Sequence, residues 1–320
     1  MIAYDLALIA GGLVILVFAG DALVRGAVGL SLKLGISALV VSMTVVAFGT
    51  SAPELLVSVK ATLEGAPGLV FGNVVGSNVA NVLLVLGVPA LITAIHVSQP
   101  DTPRNYLLMM ASMLLFFAVC SLGGLTFWVG VAFLALLGAL LYDAYRQAAA
   151  NPDAPVDLED APKRMSGKAI GLHILAGLIG LPIGASLLID GARAIALDLG
   201  VSEAAIGLTL VAVGTSLPEL ATTIMAALRR QADVAVGNVV GSNMFNILAV
   251  AGAAALFGDL PTPHGFLDAD LWVILGAGVV IAPFVFLKRD IHWPVGMVFI
   301  AAYVAYIVFA LDAGAKAGAT

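Results

Sequence analysis

The stretch Ala47-Phe-Gly-Thr-Ser-Ala-Pro-Glu54 returns 165 residues later as Ala212-Val-Gly-Thr-Ser-Leu-Pro-Glu219. Beyond each copy lies a second shared cluster, Gly72-Asn-Val-Val-Gly-Ser-Asn78 with Asn81, matched by Gly237-Asn-Val-Val-Gly-Ser-Asn243 with Asn246. At that offset Ser37–Gly87 aligns with Ser202–Gly252 without a gap, and 23 of the 51 positions are identical. One unit has been duplicated, and a duplication dictates architecture before any local reading does. Around these clusters the chain is apolar: 61% of its residues are hydrophobic, 11% are charged, and the mean hydropathy is +1.09. Soluble proteins carry about 25% charged residues, so fourteen Lys+Arg and twenty Asp+Glu among 320 residues are too few for a water-facing surface. The bilayer is the solvent for most of the chain. Lipid cannot satisfy backbone groups, which leaves helical spans or a closed barrel, and barrel strands alternate polar with apolar residues. Tyr106–Cys120 and Leu271–Leu287 do not alternate. The fold class is therefore an all-α polytopic membrane protein.

A span needs about 20 apolar residues, and polar or Pro/Gly-rich punctuation divides the sequence into ten of them. They lie near 3–24, 36–62, 68–95, 103–121, 124–146, 168–197, 202–228, 234–257, 268–287 and 292–311. The first lacks a basic leader and a small-residue cleavage site, so it reads as an uncleaved span. A polar linker at 147–167 separates five helices at 1–146, holding the repeat 37–87, from five at 168–320, holding the repeat 202–252. Basic residues concentrate on the cytoplasmic side of membrane proteins. With both termini outside and the linker cytoplasmic, eleven of the fourteen Lys+Arg fall inside, and Lys60, Arg193 and Lys316 fall outside. An odd number of spans per half makes the two halves enter the membrane from opposite sides. Inverted repeats of this kind are a transporter architecture with its site near the midplane.

Each polar cluster falls inside a span. Glu54 and Glu219 are carboxylates in a region where a charge costs several kcal/mol unless compensated. No Lys or Arg lies at comparable depth in the second, third, seventh or eighth spans, so an external cation is the better partner. Pro53 and Pro218 lack the N–H that would bond the carbonyls of Gly49 and Gly214, which predicts a helix break and freed carbonyls in both spans. Thr50 and Glu54 are four apart and should share a helix face, as should Thr215 and Glu219, Ser77 and Asn81, and Ser242 and Asn246. All of these donors are oxygens, with no His or Cys among them, and Cys120 stands alone in an apolar run. Hard cations such as Ca2+ and Na+ suit such a set, whereas zinc or copper would favour nitrogen or sulfur. The glycines of Gly72–Gly76 and Gly237–Gly241 have the spacing of helix-packing motifs. Asp21 and Arg25 have the spacing of an ion pair at a span end, and His173, alone in an apolar span, reads as a packing residue.

At these clusters the sequence resembles the cation/calcium exchanger superfamily, and most of all the prokaryotic sodium/calcium exchangers, over all ten spans. The resemblance implies that Glu54 and Glu219 bind Ca2+ together with Thr50 and Thr215. It further implies Na+ ligation by the carbonyls of Ala47 and Ala212 and by the side chains of Ser51, Ser77, Ser216 and Ser242, with Asn81 and Asn246 completing the centre. Some relatives, including potassium-dependent exchangers, carry Asp where this chain has Asn246, which argues for potassium independence. The expected activity is electrogenic Na+/Ca2+ antiport by alternating access. In it the first and sixth spans slide across the ligand-bearing core.

Three other readings stand beside it. Proton/calcium exchange in the same fold would also use a membrane glutamate, although proton-coupled relatives usually have an acidic residue near Asn81 or Asn246. A passive cation channel would carry flux without counter-transport, and broken helices in inverted repeats weigh against it. A membrane enzyme with Glu54 and Glu219 as acid and base is disfavoured by the symmetry of the motifs, because acid and base have different tasks. No cofactor is expected. Ca2+ and Na+ are the substrates, lipid is the surrounding medium, and the chain is expected to act as a monomer. A net charge of −6 without a basic stripe gives no support to nucleic-acid binding.

Overall fold

The computed structural model describes residues 2–97, 102–150, 165–199, 212–263 and 269–317. Most of the linker, and the first part of the seventh span at 202–211, lie outside the described residues. The first half runs through α1 (Ile2–Leu34), α2 (Ala38–Val41), a π segment (Ser42–Val46), α3 (Ala47–Thr50) and α4 (Ala52–Leu63). It continues with α5 (Pro67–Leu83), α6 (Gly87–Ile92), α7 (Thr102–Ser121) and α8 (Phe127–Ala150). The second half runs through α9 (Gly167–Asp198), α10 (Ala212–Thr215), α11 (Leu217–Leu228), α12 (Ala232–Phe245), a second π segment (Asn246–Ala251) and α13 (Gly252–Ala255). It closes with α14 (Asp270–Phe286) and α15 (Trp293–Ala317).

Among the described residues seven helices are long and apolar enough to cross a membrane. The bent pair Ala38–Thr50 and Ala52–Leu63 makes an eighth if taken as one span, and α11 and α14 are shorter apolar helices. The chain is thus a multi-pass helical membrane protein. The fifth span begins at Phe127 and not at Gly124, because Gly123 and Gly124 take φ of 122° and 124°. Gly124–Leu125 (β1) pairs instead, antiparallel, with Leu260–Pro261 (β2).

The inversion is visible in how α1 meets α9. Gly12 packs on Gly184 and Leu188, Leu23 on Gly177, and Gly26 on Ile174, so residue numbers rise along one helix as they fall along the other. Corresponding first helices of homologous halves are therefore antiparallel, and the halves insert in opposite directions. Backbone lies directly on backbone here: a Cβ on Gly12 would sit 2.6 Å from the Gly184 carbonyl oxygen, and one on Gly184 would sit 2.9 Å from that of Gly12. Only glycine permits this approach.

The symmetry reaches beyond the repeats. Ile95 exchanges two 3.0 Å backbone hydrogen bonds with Ile291, and Leu125 pairs with Leu260. At the repeat offset Ile95 corresponds to Leu260, and Leu125 falls one residue from the equivalent of Ile291. One bridge is thus the two-fold image of the other, and each joins the first half to the second. Within this frame α12 is almost wholly enclosed, whereas α1, α8, α9 and α15 leave most of their surface facing outward. The apolar outer faces carry large exposed residues such as Phe18, Trp128 and Trp293, as a lipid solvent requires.

Candidate ion-binding site

Proline is tolerated in the first turn of a helix but not inside one, and both motif spans use that rule. The helix stops at Ser51 (φ −84°, ψ 5°) and at Ser216 (φ −85°, ψ 1°), then restarts with Pro53 and Pro218 in the first turn of α4 and α11. The first break bends its span by 44°. Each break falls two residues past the glycine where the sequence places it, because the new helix admits the proline only near its start. Glu54 and Glu219 then stand in the first turn of their helices, where the helix dipole favours an anion.

The break also changes which groups meet. Thr50 and Glu54 are four apart but lie on opposite sides of it, so they do not share a helix face as the spacing predicts. The Thr50 hydroxyl turns to the other half, 3.4 Å from Asn238 Oδ1 and 3.4 Å from Ser242 Oγ, and donates within its own turn to the Ala47 carbonyl at 3.3 Å. Thr50 and Ser242 face the Glu219 carboxylate, and Ser51 donates to Glu219 Oε1 at 3.3 Å. In return Thr215 faces Glu54, which also lies within electrostatic reach of Glu219. Each half's glutamate is thus framed by the other half's threonine.

Ten of the twelve expected ligands are polar side chains, and all ten are buried: Glu54, Glu219, Thr50, Thr215, Ser51, Ser216, Ser77, Ser242, Asn81 and Asn246. Ala47 is buried as well, and its carbonyl already accepts from the Ser51 amide at 3.0 Å and from Thr50. Ala212 opens α10. Asn81 and Asn246 stand where their helices widen. In the first half Val85 N–H reaches back five residues to the Ala80 carbonyl at 2.9 Å, and in the second the π segment begins at Asn246 itself. Such wide turns gather at functional sites.

Eleven buried side-chain nitrogen and oxygen atoms among the described residues lack a hydrogen-bond partner. All belong to the two motif regions: both carboxylate oxygens of Glu54, one of Glu219, the hydroxyls of Thr215 and Ser216, and amide atoms of Asn78, Asn81, Asn243 and Asn246. An unsatisfied buried polar atom costs about 1–3 kcal/mol, so this concentration marks a place built for something other than stability. Most of the atoms are oxygens, as a hard cation requires. Among the described residues no three His, Cys, Asp or Glu gather as a transition-metal cluster would.

Two residues that the sequence reading left out of the site belong beside it. Asn73 Nδ2 donates to the Glu54 carbonyl at 3.0 Å and to Ser58 Oγ at 2.9 Å, and Asn238 Nδ2 donates to the Glu219 carbonyl at 3.2 Å and to Thr223 Oγ1 at 3.0 Å. Asparagine at the head of each Gly-Asn cluster was the available signal. The glycine pair of the second repeat does pack helices: Cβ atoms on Gly237 and Gly241 would lie 2.7 and 2.5 Å from the carbonyls of Leu39 and Met43. For Gly72 and Gly76 the equivalent partners, at 204–208, lie outside the described residues. His173 is a packing residue whose Nδ1 lies 2.8 Å from the Ala169 carbonyl.

The α1–α9 pair sits off the two-fold axis. Gly49 and Gly214 are repeat equivalents, yet both rest on α9, through Leu178 and Ile189. Helix α1 packs along α11, where Asp21 pairs with Arg229 as well as with Arg25 at 2.9 Å, and α9 makes no comparable contact with α4.

The profile of a family described as "Sodium/calcium exchanger protein" matches residues 4–145 and again 170–311. The chain belongs to that family. Sodium/calcium exchanger MaX1 of Methanosarcina acetivorans is 31% identical over 96% of this chain and 99% of its own. Inner membrane protein YrbG of Escherichia coli is 36% identical over 78% of this chain and 79% of its own. The sodium-calcium exchanger NCX_Mj, in a structure soaked with zero Na+ and Ca2+, superposes with a TM-score of 0.83 at 32% identity, covering 96% of this chain and 99% of that one.

Proposed function

We propose that this chain is a secondary antiporter that exchanges Na+ for Ca2+ across the cell membrane, electrogenically and without potassium. The observation that carries the reading is the collection of unpartnered buried polar atoms, nearly all oxygens, around Glu54 and Glu219. The relatives named as sodium/calcium exchangers point the same way. In this reading Glu54, Glu219, Thr50 and Thr215 hold Ca2+. Na+ uses the Ala47 and Ala212 carbonyls, the hydroxyls of Ser51, Ser77, Ser216 and Ser242, and the Asn81 and Asn246 amides. Two carboxylates neutralise one Ca2+, and the hydroxyls, amides and carbonyls packed around them hold several Na+ instead; both loads draw on the same two negative charges and therefore compete, which is what couples their movements.

Alternating access follows from the off-axis α1–α9 pair. Leaning on α11 covers one approach to the site, and sliding to the two-fold equivalent position against α4 covers the other. The site itself stays in place, as in other inverted-repeat transporters. In this reading both termini lie outside and the linker in the cytoplasm, which the distribution of basic residues favours, and the core enclosed within one chain suits a monomer in lipid.

The test is radiolabelled Ca2+ uptake into proteoliposomes under separately imposed Na+, K+ and H+ gradients. Uptake should follow an outward Na+ gradient, respond to an imposed potential and fall to background in Glu54→Gln and Glu219→Gln. Uptake driven by a pH gradient in sodium-free buffer would establish proton exchange in its place, and flux without any counter-ion would establish a channel.

A further inference from the structure

Asn73 and Asn238 are tied into their halves by the same two bonds. Each amide donates to the carbonyl of the site glutamate and to a hydroxyl one turn farther along, at 2.9–3.2 Å in all four cases. Two donors on one side chain fix both the height and the rotation of a helix against its neighbour, which a single bond does not. Ser77 and Asn81 follow Asn73 at four and eight residues, and Ser242 and Asn246 follow Asn238 likewise. On a helix these positions share one face and lie about 5–6 Å and 11–12 Å farther along it. The face that carries the amide clamp therefore also carries two expected ligands, and the clamp sets where they stand relative to the glutamate. Asn238 reaches further still, since its Oδ1 lies 3.4 Å from the Thr50 hydroxyl of the opposite half.

We propose that Asn73 and Asn238 are positioning residues that pin the register of α5 on α4 and of α12 on α11, and so set the geometry in which Ser77, Asn81, Ser242 and Asn246 meet the ion. The proposal rests on the ion site described above. Groups that orient metal ligands without touching the metal change affinity by about 10- to 100-fold when removed, whereas a purely structural bond changes the amount of folded protein and leaves the affinity of the folded fraction alone.

The experiment is calorimetric titration of the purified, monodisperse full chain with Ca2+, in sodium-free buffer and at rising Na+, so that competition gives the Na+ affinity. Asn73→Ala and Asn238→Ala should each weaken Na+ binding by about 10- to 100-fold. In a Ser77→Ala background Asn73→Ala should cost much less than it does alone, because the ligand it positions is already gone; Ser242→Ala should mask Asn238→Ala in the same way. Unchanged affinity in the folded single variants, or fully additive losses, overturns the proposal. Where an alanine variant fails to fold, Ser58→Ala and Thr223→Ala remove one of the two clamp acceptors. They should weaken binding in the same direction by a smaller factor, and no weakening again overturns it. Glu54→Gln separates the two readings: if it binds Ca2+ like the parent, or the parent binds none, the site assignment itself has failed.

Discussion

Ser216 and Thr215 each bury a hydroxyl that makes no hydrogen bond to the protein, while Thr222, two turns along, spends its own on the Pro218 carbonyl at 2.8 Å. Deleting an unsatisfied group removes a desolvation cost and no bond. Ser216→Ala and Thr215→Val should therefore leave the ion-free protein as stable as before, or more stable by up to about 1 kcal/mol, while Thr215→Val weakens Ca2+ binding and Ser216→Ala weakens the competition of Na+ with Ca2+. Thr222→Val should do the reverse, losing about 1 kcal/mol of stability with Ca2+ affinity unchanged. Thermal unfolding in chelated buffer, beside a calcium titration with and without Na+, reads both effects. The same contrast explains what could be read at this scale. Glu54 and Glu219 were legible because an intramembrane charge demands a partner and the nearby sequence offers none. Asn73, Asn78, Asn238 and Asn243 were not, because a string of amides at helical spacing says nothing of where each N–H goes. Two of the four turn out to hold the glutamate backbones, and the other two leave a carbonyl oxygen unmet.

At the scale of elements the breaks were readable, since a proline inside an apolar span leaves few options. The π segments were not. Ser42–Val46 contains neither Gly nor Pro, and its extra residue per turn is set by packing against α12, where Ser42 Oγ donates to the Val234 carbonyl at 2.7 Å. Long-range contacts of this kind leave no local pattern. Glycine separates the packing seams from the lipid faces. A Cβ on Gly241 would meet the Met43 carbonyl at 2.5 Å and Ala47 Cβ at 2.7 Å, whereas one on Gly138 in α8 meets nothing within 4 Å. Gly241→Val should cost about 1–3 kcal/mol through forced separation of α12 from the second span, with loss of uptake. Gly138→Ala should gain about 0.5–1 kcal/mol from helix propensity and leave uptake intact. Melting in detergent and proteoliposome flux distinguish the two.

For the whole molecule the informative departure from symmetry is the clasp between Asp21 and Arg229. At the repeat offset their counterparts are Ser186 and Glu64, which cannot form an ion pair, so the clasp favours the arrangement with α1 on α11. Asp21 is 20% exposed and Arg229 34%, so the bridge is partly shielded from solvent and worth about 1 kcal/mol, or about a fivefold shift in population. A cysteine at Ala226, fully buried on α11, should be labelled about that much faster by a thiol reagent when Arg229→Gln is added. Cys120 is buried and leaves the background silent; equal labelling rates would show that the clasp does not bias the equilibrium. The paired backbone bridges have another consequence, for biogenesis. Ile95 must wait for Ile291, and Leu125 for Leu260, so the first half is synthesised and threaded into the bilayer long before the partners that close it exist. Insertion and folding are therefore separate events, and neither half is a finished product. Fragments 1–155 and 156–320 made apart should be degraded, and made together in one cell they should assemble and restore uptake.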